Sequence, residues 1–141
     1  MKIGVIIVFD NNAVDIEKGL FDGLFGFRSD VHLCLVNNGS RDDTLDKLEM
    51  LIDTSGLDCT LIDIKQNKGV NFAIKAGARY FFSQNKLKYF GYSTTSNVRA
   101  TNDLFSLMNE IENFLKTMIN YKVDKSQSTS PIKPVFFKIQ K

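Results

Sequence analysis

A chain of 141 residues is long enough for one domain with a sizeable core. Its 43% apolar and 24% charged residues are ordinary for a globular protein, and no stretch reads as a transmembrane segment. The net charge of +2 is too small to point to nucleic acid.

The first apolar run, Ile3 to Phe9, does not alternate, so it reads as a central parallel strand buried on both faces. It is too short for a signal peptide, which makes the cytoplasm the expected location. Asp10-Asn11-Asn12 ends it with turn and cap chemistry. Over residues 13–26, Ile16, Leu20, Leu24 and Phe21, Phe25 recur at four-residue spacing and predict an amphipathic helix. A second strand spans Val31 to Val36, followed by a helix from Arg41 to about Thr54 that Gly56 would stop. Cys59 to Ile64 is the third strand, and a third helix spans about Gly69 to Ser83 with Val70, Ala73, Ile74, Gly77 and Phe81 on one stripe. A short fourth strand covers Tyr89 to Tyr92. Leu104, Leu107, Met108, Ile111, Phe114, Leu115 and Met118 mark a core-packed helix over 102–119. Residues 122–134 are linker-like, and Val135 to Ile139 reads as a last strand at a sheet edge. The expected division is a domain over 1–121 and a tail over 122–141. That tail holds five lysines and one acid, +4 against −2 for the remainder. It reads as a solvated end, although it could touch a membrane surface or an acidic partner. Cys34 and Cys59 match no metal or redox spacing and read as buried free thiols.

Three strand–helix alternations with short connections predict a three-layer α/β sandwich with a mostly parallel sheet. Its focus is Leu35 to Thr44, where an apolar strand stops at two amides and a glycine. Ser40 with Asp43 three residues on reads as a capping box opening the second helix. In an open α/β sheet, ligands bind outside the carboxyl ends of the strands, which is where this turn lies. No Gly-x-Gly-x-x-Gly follows the first strand and no Gly-Lys-Ser/Thr occurs, which argues against dinucleotide Rossmann and P-loop sites. A receiver-type domain would need an acid at the end of the third strand, where Lys65-Gln66-Asn67 stands.

Val36-Asn37-Asn38-Gly39-Ser40-Arg41-Asp42-Asp43-Thr44 resembles the V-D-D/N-G-S-x-D-x-T signature of family 2 glycosyltransferases of the GT-A fold. Asn67 to Gly77 resembles that family's N-x-G-x-x-x-A-x-N-x-G segment, at the expected distance. The two motifs in order form a fairly specific signal covering roughly residues 1–92. The resemblance implies strand order 3-2-1-4 and a crevice for a UDP-, GDP- or dTDP-linked sugar. Asp10 or Asn11, with Asn37 and Asn38, would then hold base and ribose. By itself Asn37-Asn38-Gly39 is equally a turn needing positive φ, and the second motif favours ligand binding. Asn67, Lys68 and Gly69 would close the crevice, with Lys68 and the helix N–H groups facing phosphate. Ala73 and Gly77 read as small residues that let the helix lie close on the sheet.

Family enzymes carry Asp-x-Asp at the end of the fourth strand, where carboxylates hold Mg²⁺ or Mn²⁺ against the diphosphate leaving group. Here Phe90 to Asn97 contains no acid, so the usual metal ligands are absent; Arg99 is the candidate phosphate contact in that loop. No base for inverting transfer is evident either, since the single histidine, His32, lies inside the second strand. Family enzymes usually run well past 200 residues, and their later half forms the acceptor site. Three functions stay open: a reduced transferase, metal-independent or completed by a partner chain or homo-oligomer; a nucleotide or nucleotide-sugar binding module; and a non-catalytic interaction or assembly subunit.

Overall fold

The computed structural model describes residues 2–23, 31–56, 59–84, 87–95 and 136–138. The chain runs β1 (Lys2–Phe9), α1 (Ala13–Glu17), β2 (Val31–Asn38), α2 (Thr44–Ser55), β3 (Cys59–Ile64), α3 (Val70–Ser83), β4 (Leu87–Thr94) and β5 (Phe136–Lys138). The described strands form one sheet in the order β3-β2-β1-β4-β5. The first four are parallel, as expected, and β5 pairs antiparallel with β4 at the edge.

Strand β1 is central because both of its faces are apolar. Ile3, Val5, Ile7 and Phe9 pack with Ile16, Phe21, Leu33, Leu35, Leu48 and Leu51 under α1 and α2. Ile6 and Val8 turn the other way and pack with Cys34, Val36, Ala73, Phe81, Leu87 and Phe90 under α3. The two-residue side-chain period thus sorts one apolar run into two cores. Ala73 is fully buried, and a Cβ on Gly77 would come within 2.9 Å of the Ile6 side chain, which explains the small residues of the α3 stripe. Cys34 is buried, and that burial, then the neighbouring Cys59, pushes its thiol up to about 12. Cys59 is only half-buried, so the expectation of two buried thiols holds for one.

Several boundaries differ from the sequence expectation. Helix α1 ends at Glu17, and a turn through Gly19 at φ +81° replaces the predicted helix up to the last described residue, 23. Phe21 still reaches the core from that turn, edge-on to Phe9 at 4.9 Å between ring centroids. Strand β2 continues through Asn38, and β4 extends from Leu87 to Thr94 instead of the short Tyr89–Tyr92. Its polar end is held by backbone pairing to β1, with Ser93 opposite Ile7 and Thr94 opposite Val8. Helix α2 starts at Thr44, not Arg41, and Gly56 stops it in the left-handed conformation at φ +65°. The helix expected over 102–119, the linker and Arg99 lie outside the described residues.

Candidate functional site

The carboxyl ends of β1, β2 and β3 lie side by side, with Phe9 opposite Asn37 and Asn37 opposite Asp63. Strand β1 lies between β2 and β4, so the sheet order reverses at β1, where open α/β sheets bind ligands. The loops after these strands are joined by side chains. Asn11 N–H donates to Ser40 Oγ at 3.0 Å, and Asn11 Oδ1 accepts from Arg41 N–H at 2.8 Å. Among the described residues, Asn11 is the non-glycine residue with positive φ, at +54°, a conformation that asparagine tolerates better than most residues. Its two bonds to the next loop hold it there.

Asn12 is buried, yet its side chain does not cap α1. Its Oδ1 instead accepts from Asp10 N–H at 2.7 Å, and its Nδ2 donates to Asp15 at 2.9 Å. The expected capping box is also replaced. Asp43 is the N-cap of α2 without a side-chain bond, and Ser40 Oγ donates to Asn37 Oδ1 at 2.6 Å. Asp42 does the organising. One oxygen takes Thr44 N–H at 3.0 Å and the Thr44 hydroxyl, and the other takes Ala13 N–H at 3.1 Å. Asn12 N–H closes the set by donating to Thr44 Oγ1 at 2.7 Å.

The third loop joins from the opposite side. Asn67 Nδ2 donates to Asp10 Oδ2 at 3.2 Å, while Asn67 Oδ1 accepts from Gly69 N–H at 2.9 Å. A Cβ on Gly39, whose φ is +59°, would lie 2.2 Å from Asn67 N, so these two loops touch backbone to backbone. Gly69 caps α3 at φ +99° with open space above it. Lys68 is exposed and rests over the Phe72 ring at 5.2 Å. Asp10, Asn11, Asn37, Gly39, Asn67 and Gly69 are therefore drawn into one rim.

Beside this rim opens a cavity of about 270 Å³ lined by Asn37, Gly39, Ser40, Asp42, Asp63 and Lys65 among others. Asp63 and Lys65 were missed in the sequence, where the signal was a lone acid inside an otherwise apolar strand. Asn37 Nδ2 donates to Asp63 Oδ1 at 3.0 Å, and Lys65 pairs with Asp63 Oδ2. Asn38 is completely buried, and among the described residues neither end of its amide has a hydrogen-bond partner. It points to the α3 side of β2, by alternation with Asn37, and not into the rim.

The two carboxylates carry a pH dependence. The Lys65 hydrogen bond holds Asp63 below its ordinary value of 3.8, assisted by the Asn37 amide and opposed by partial burial. For Asp42, burial pushes upward, but the Thr44 hydroxyl and the N–H groups of Ala13 and Thr44 outweigh it, and the net shift is downward. Folded values below unfolded ones mean that the unfolded chain takes up protons first as acid is added. The stabilisation is complete above 3.8 and lost as pH falls through the folded values. In urea titrations the wild type should lose stability below that pH more steeply than an Asp42→Asn, Asp63→Asn double variant. Equal slopes would show that these carboxylates do not couple to folding.

At the end of β4 the side chains are hydroxyls: Ser93 and Thr95 are buried and Thr94 half-buried. Hydroxyls without a carboxylate are a poor donor set for Mg²⁺ or Mn²⁺. Among the described residues, no three His, Cys, Asp or Glu side chains group as a cation site requires. The donor set present does not fit a divalent ion at this point. No described helix is long and apolar enough to cross a membrane.

Comparison with curated protein sequences gives no significant match. Among solved structures, the chain resembles mannosyltransferase PcManGT from Pyrobaculum calidifontis, in complex with GDP-Man and Mn²⁺, with TM-score 0.56 and 21% identity over 66% of this chain and 27% of that one. S. aureus TarS aligns with TM-score 0.52 and 18% identity over 67% of this chain and 16% of that one. TarS 1-349 in complex with UDP-GlcNAc aligns with TM-score 0.51 and 17% identity over 67% of this chain and 26% of that one. The chain thus spans about a quarter or less of the proteins it resembles, and at these identities the likeness shows the fold. The sequence from residue 5 to 129 matches the family described as Glycosyl transferase family 2. With that match over most of the chain, and with the parallel order 3-2-1-4 that the two loop motifs implied, the protein belongs to glycosyl transferase family 2.

Proposed function

We propose that this domain binds the nucleoside diphosphate part of a nucleotide sugar, UDP-, GDP- or dTDP-linked, in the crevice rimmed by its first three loops. The observation that carries this reading is the rim itself. Asn11, Ser40, Asp42, Asn67 and Asp10 tie three sequence-distant loops into one rim at the carboxyl ends of β1, β2 and β3, with an open cavity beside it. Such cross-linking fixes a site before the ligand arrives, which lowers the ordering cost of binding. Base and ribose belong at the rim of Asp10, Asn11 and Gly39, beside the wall that Asn37 holds in place, while Asn38 faces the other side of the sheet. The phosphates belong with Lys68, Gly69 and the free N–H groups at the start of α3. Lys68 is available for this, because a cation–π contact at an exposed site holds it by only about 0.5–1 kcal/mol. Arg99 is the second cation proposed for the phosphates. The nucleotide sugars named with the two structural neighbours support the ligand class.

A thermal-shift titration with UDP, GDP, dTDP and CMP tests the proposal. A ligand of the folded state raises stability by mass action, about 2.7 kcal/mol at a hundred times Kd. One or more of the first three should raise the midpoint. No shift with any of them at millimolar concentration would remove the nucleotide reading and leave an interaction or assembly subunit.

The hydroxyl-only end of β4 favours binding without metal-assisted transfer. The same titration should then give equal shifts with Mn²⁺ and with EDTA. A strong gain from Mn²⁺ would mean that an acid such as Asp10 or Asp103 reaches the diphosphate. Transfer to an acceptor would further require an acceptor side and a base that the residues of this domain do not supply.

A further inference from the structure

Asn37 stands at the tip of β2, but the structure leaves it little to offer a base. Its Nδ2 is directed at Asp63 Oδ1 at 3.0 Å, and its Oδ1 receives the Ser40 hydroxyl at 2.6 Å. The two bonds together fix which way the amide points. Only 4% of Asn37 is exposed. The next residue in the same row across the sheet is Asp63, and it lines the cavity together with Lys65. The Asp63 side chain keeps 22% of its surface open and that of Lys65 86%. An ionised carboxylate has about four lone-pair positions, and Asn37 and Lys65 occupy two. An ammonium has three donors, of which Asp63 takes one. The cavity wall therefore presents an acceptor with spare capacity directly beside a donor with spare capacity.

Bases divide by this pattern. Uracil, thymine and guanine present a ring N–H next to a carbonyl oxygen. Cytosine and adenine present an amine next to a bare ring nitrogen, so in the seat that suits a lactam their lone pair faces the carboxylate, and only a shifted seat brings the amine to Asp63. We propose that Asp63, with Lys65 beside it, is the base-reading pair of this crevice and selects lactam bases, the Asp63 carboxylate accepting the ring N–H and the Lys65 ammonium donating to the neighbouring carbonyl. Asn37 is a positioning residue that holds the carboxylate in place. The assignment rests on the nucleotide-binding reading above and adds the residues that set base preference. The rejection of cytosine and adenine is repulsive as well as a lost bond, which is how polar sites reach high discrimination.

The test compares UDP with N3-methyl-UDP, GDP with N1-methyl-GDP, and both parents with CDP, by calorimetry on the wild-type protein. Methylation replaces the ring N–H by N–CH₃, which removes the donor and adds bulk, so the comparison with Asp63→Asn separates the lost bond from steric exclusion. Methylation should weaken binding roughly tenfold or more, as loss of a hydrogen bond to a charged group does, and CDP should bind about as poorly as the methylated forms. Asp63→Asn should shrink the methylation effect to below about threefold, since the amide can turn to present either end. Lys65→Ala, at an exposed position and checked for folding by its unfolding midpoint, should reduce the preference for UDP and GDP over CDP. Parent and methylated nucleotides binding equally to the wild type would overturn the assignment while leaving the crevice reading intact. Undiminished discrimination in a folded Asp63→Asn or in Lys65→Ala would overturn it too. If none of the nucleotides binds the wild type, the crevice reading itself falls and the assignment with it.

Discussion

Gly39→Ala should lose about 3–5 kcal/mol of stability and with it all nucleotide binding. Two penalties add at this position. The backbone is at φ +59°, where a residue with a Cβ is strained by about 1–3 kcal/mol. The added Cβ would also lie 2.2 Å from Asn67 N and 2.7 Å from the carbonyl carbon of Gln66. Those atoms are backbone, so they cannot rotate aside, and overpacking of this kind costs a further ~1–3 kcal/mol. Separating the loops would break the Asn67–Asp10 bond and open the rim. Gly56 is the internal control. It has a similar φ of +65°, but a Cβ there meets nothing within 4 Å, so Gly56→Ala should cost only the conformational part, about 1 kcal/mol. Gly39→Asn separates the causes further. Asparagine tolerates the left-handed region, so it would rescue a purely conformational defect, but it carries the same Cβ and should fail like alanine. Urea unfolding midpoints of the three variants decide the matter. A Gly39→Asn protein as stable as wild type would refute the contact argument.

Phe81→Ala should cost about 3–5 kcal/mol, the range for a fully buried aromatic whose cavity cannot collapse. The ring lies over the β1 backbone at Gly4, where a Cβ would come within 2.6–2.8 Å of three ring atoms. Around it stand His32 at 5.9 Å, Tyr80 at 5.7 Å and Phe90 at 6.4 Å between centroids. This cluster is the seat of α3, whose first turn faces the crevice, so its loss should weaken nucleotide binding indirectly. His32 belongs to this packing. Its Nε2 lies 3.2 Å from Thr60 Oγ1 and 3.5 Å from the Tyr80 hydroxyl. The reverse change tests the same fit: Gly4→Ala forces the ring aside and should cost about 1–3 kcal/mol. Because both changes act on one contact, Gly4→Ala combined with Phe81→Leu should lose less than the two single losses added. Strict additivity, measured by denaturant unfolding, would show that Gly4 and Phe81 are not coupled.

What the sequence made legible follows from which interactions are local. The continuous apolar run Ile3 to Phe9 announced a doubly buried strand, and Cys59 to Ile64 emerged with its ends unchanged. Gly56 and Gly69 marked helix ends because local backbone conformation sets them. The strand order came from the resemblance of the two loop motifs, since no single strand states its neighbour. The errors fall where a residue spends its side chain on a distant partner. Ser40 and Asp43 fit a local capping pattern, but Ser40 bonds Asn11 and Asn37, and Asp42 serves both α2 and the start of α1. The four-residue spacing after Ala13 suggested one long helix, whereas Gly19 turns the chain and Phe21 reaches the same core without a helix. Asp63 was hidden because its meaning depends on Asn37, twenty-six positions away in the chain but adjacent in the sheet. The lack of an acid over Phe90 to Asn97 is a matter of residue type and needs no contact to be read.

The three laced loops are proposed to form a working nucleotide crevice. This is tested most directly by titrating the ¹⁵N-labelled protein with UDP and GDP and following the backbone amide resonances. Shifts are expected at 10–12, 37–42 and 63–70, with the far ends of α2 and α3 unchanged. Saturating shifts elsewhere on the molecule, or none at millimolar nucleotide, would contradict it.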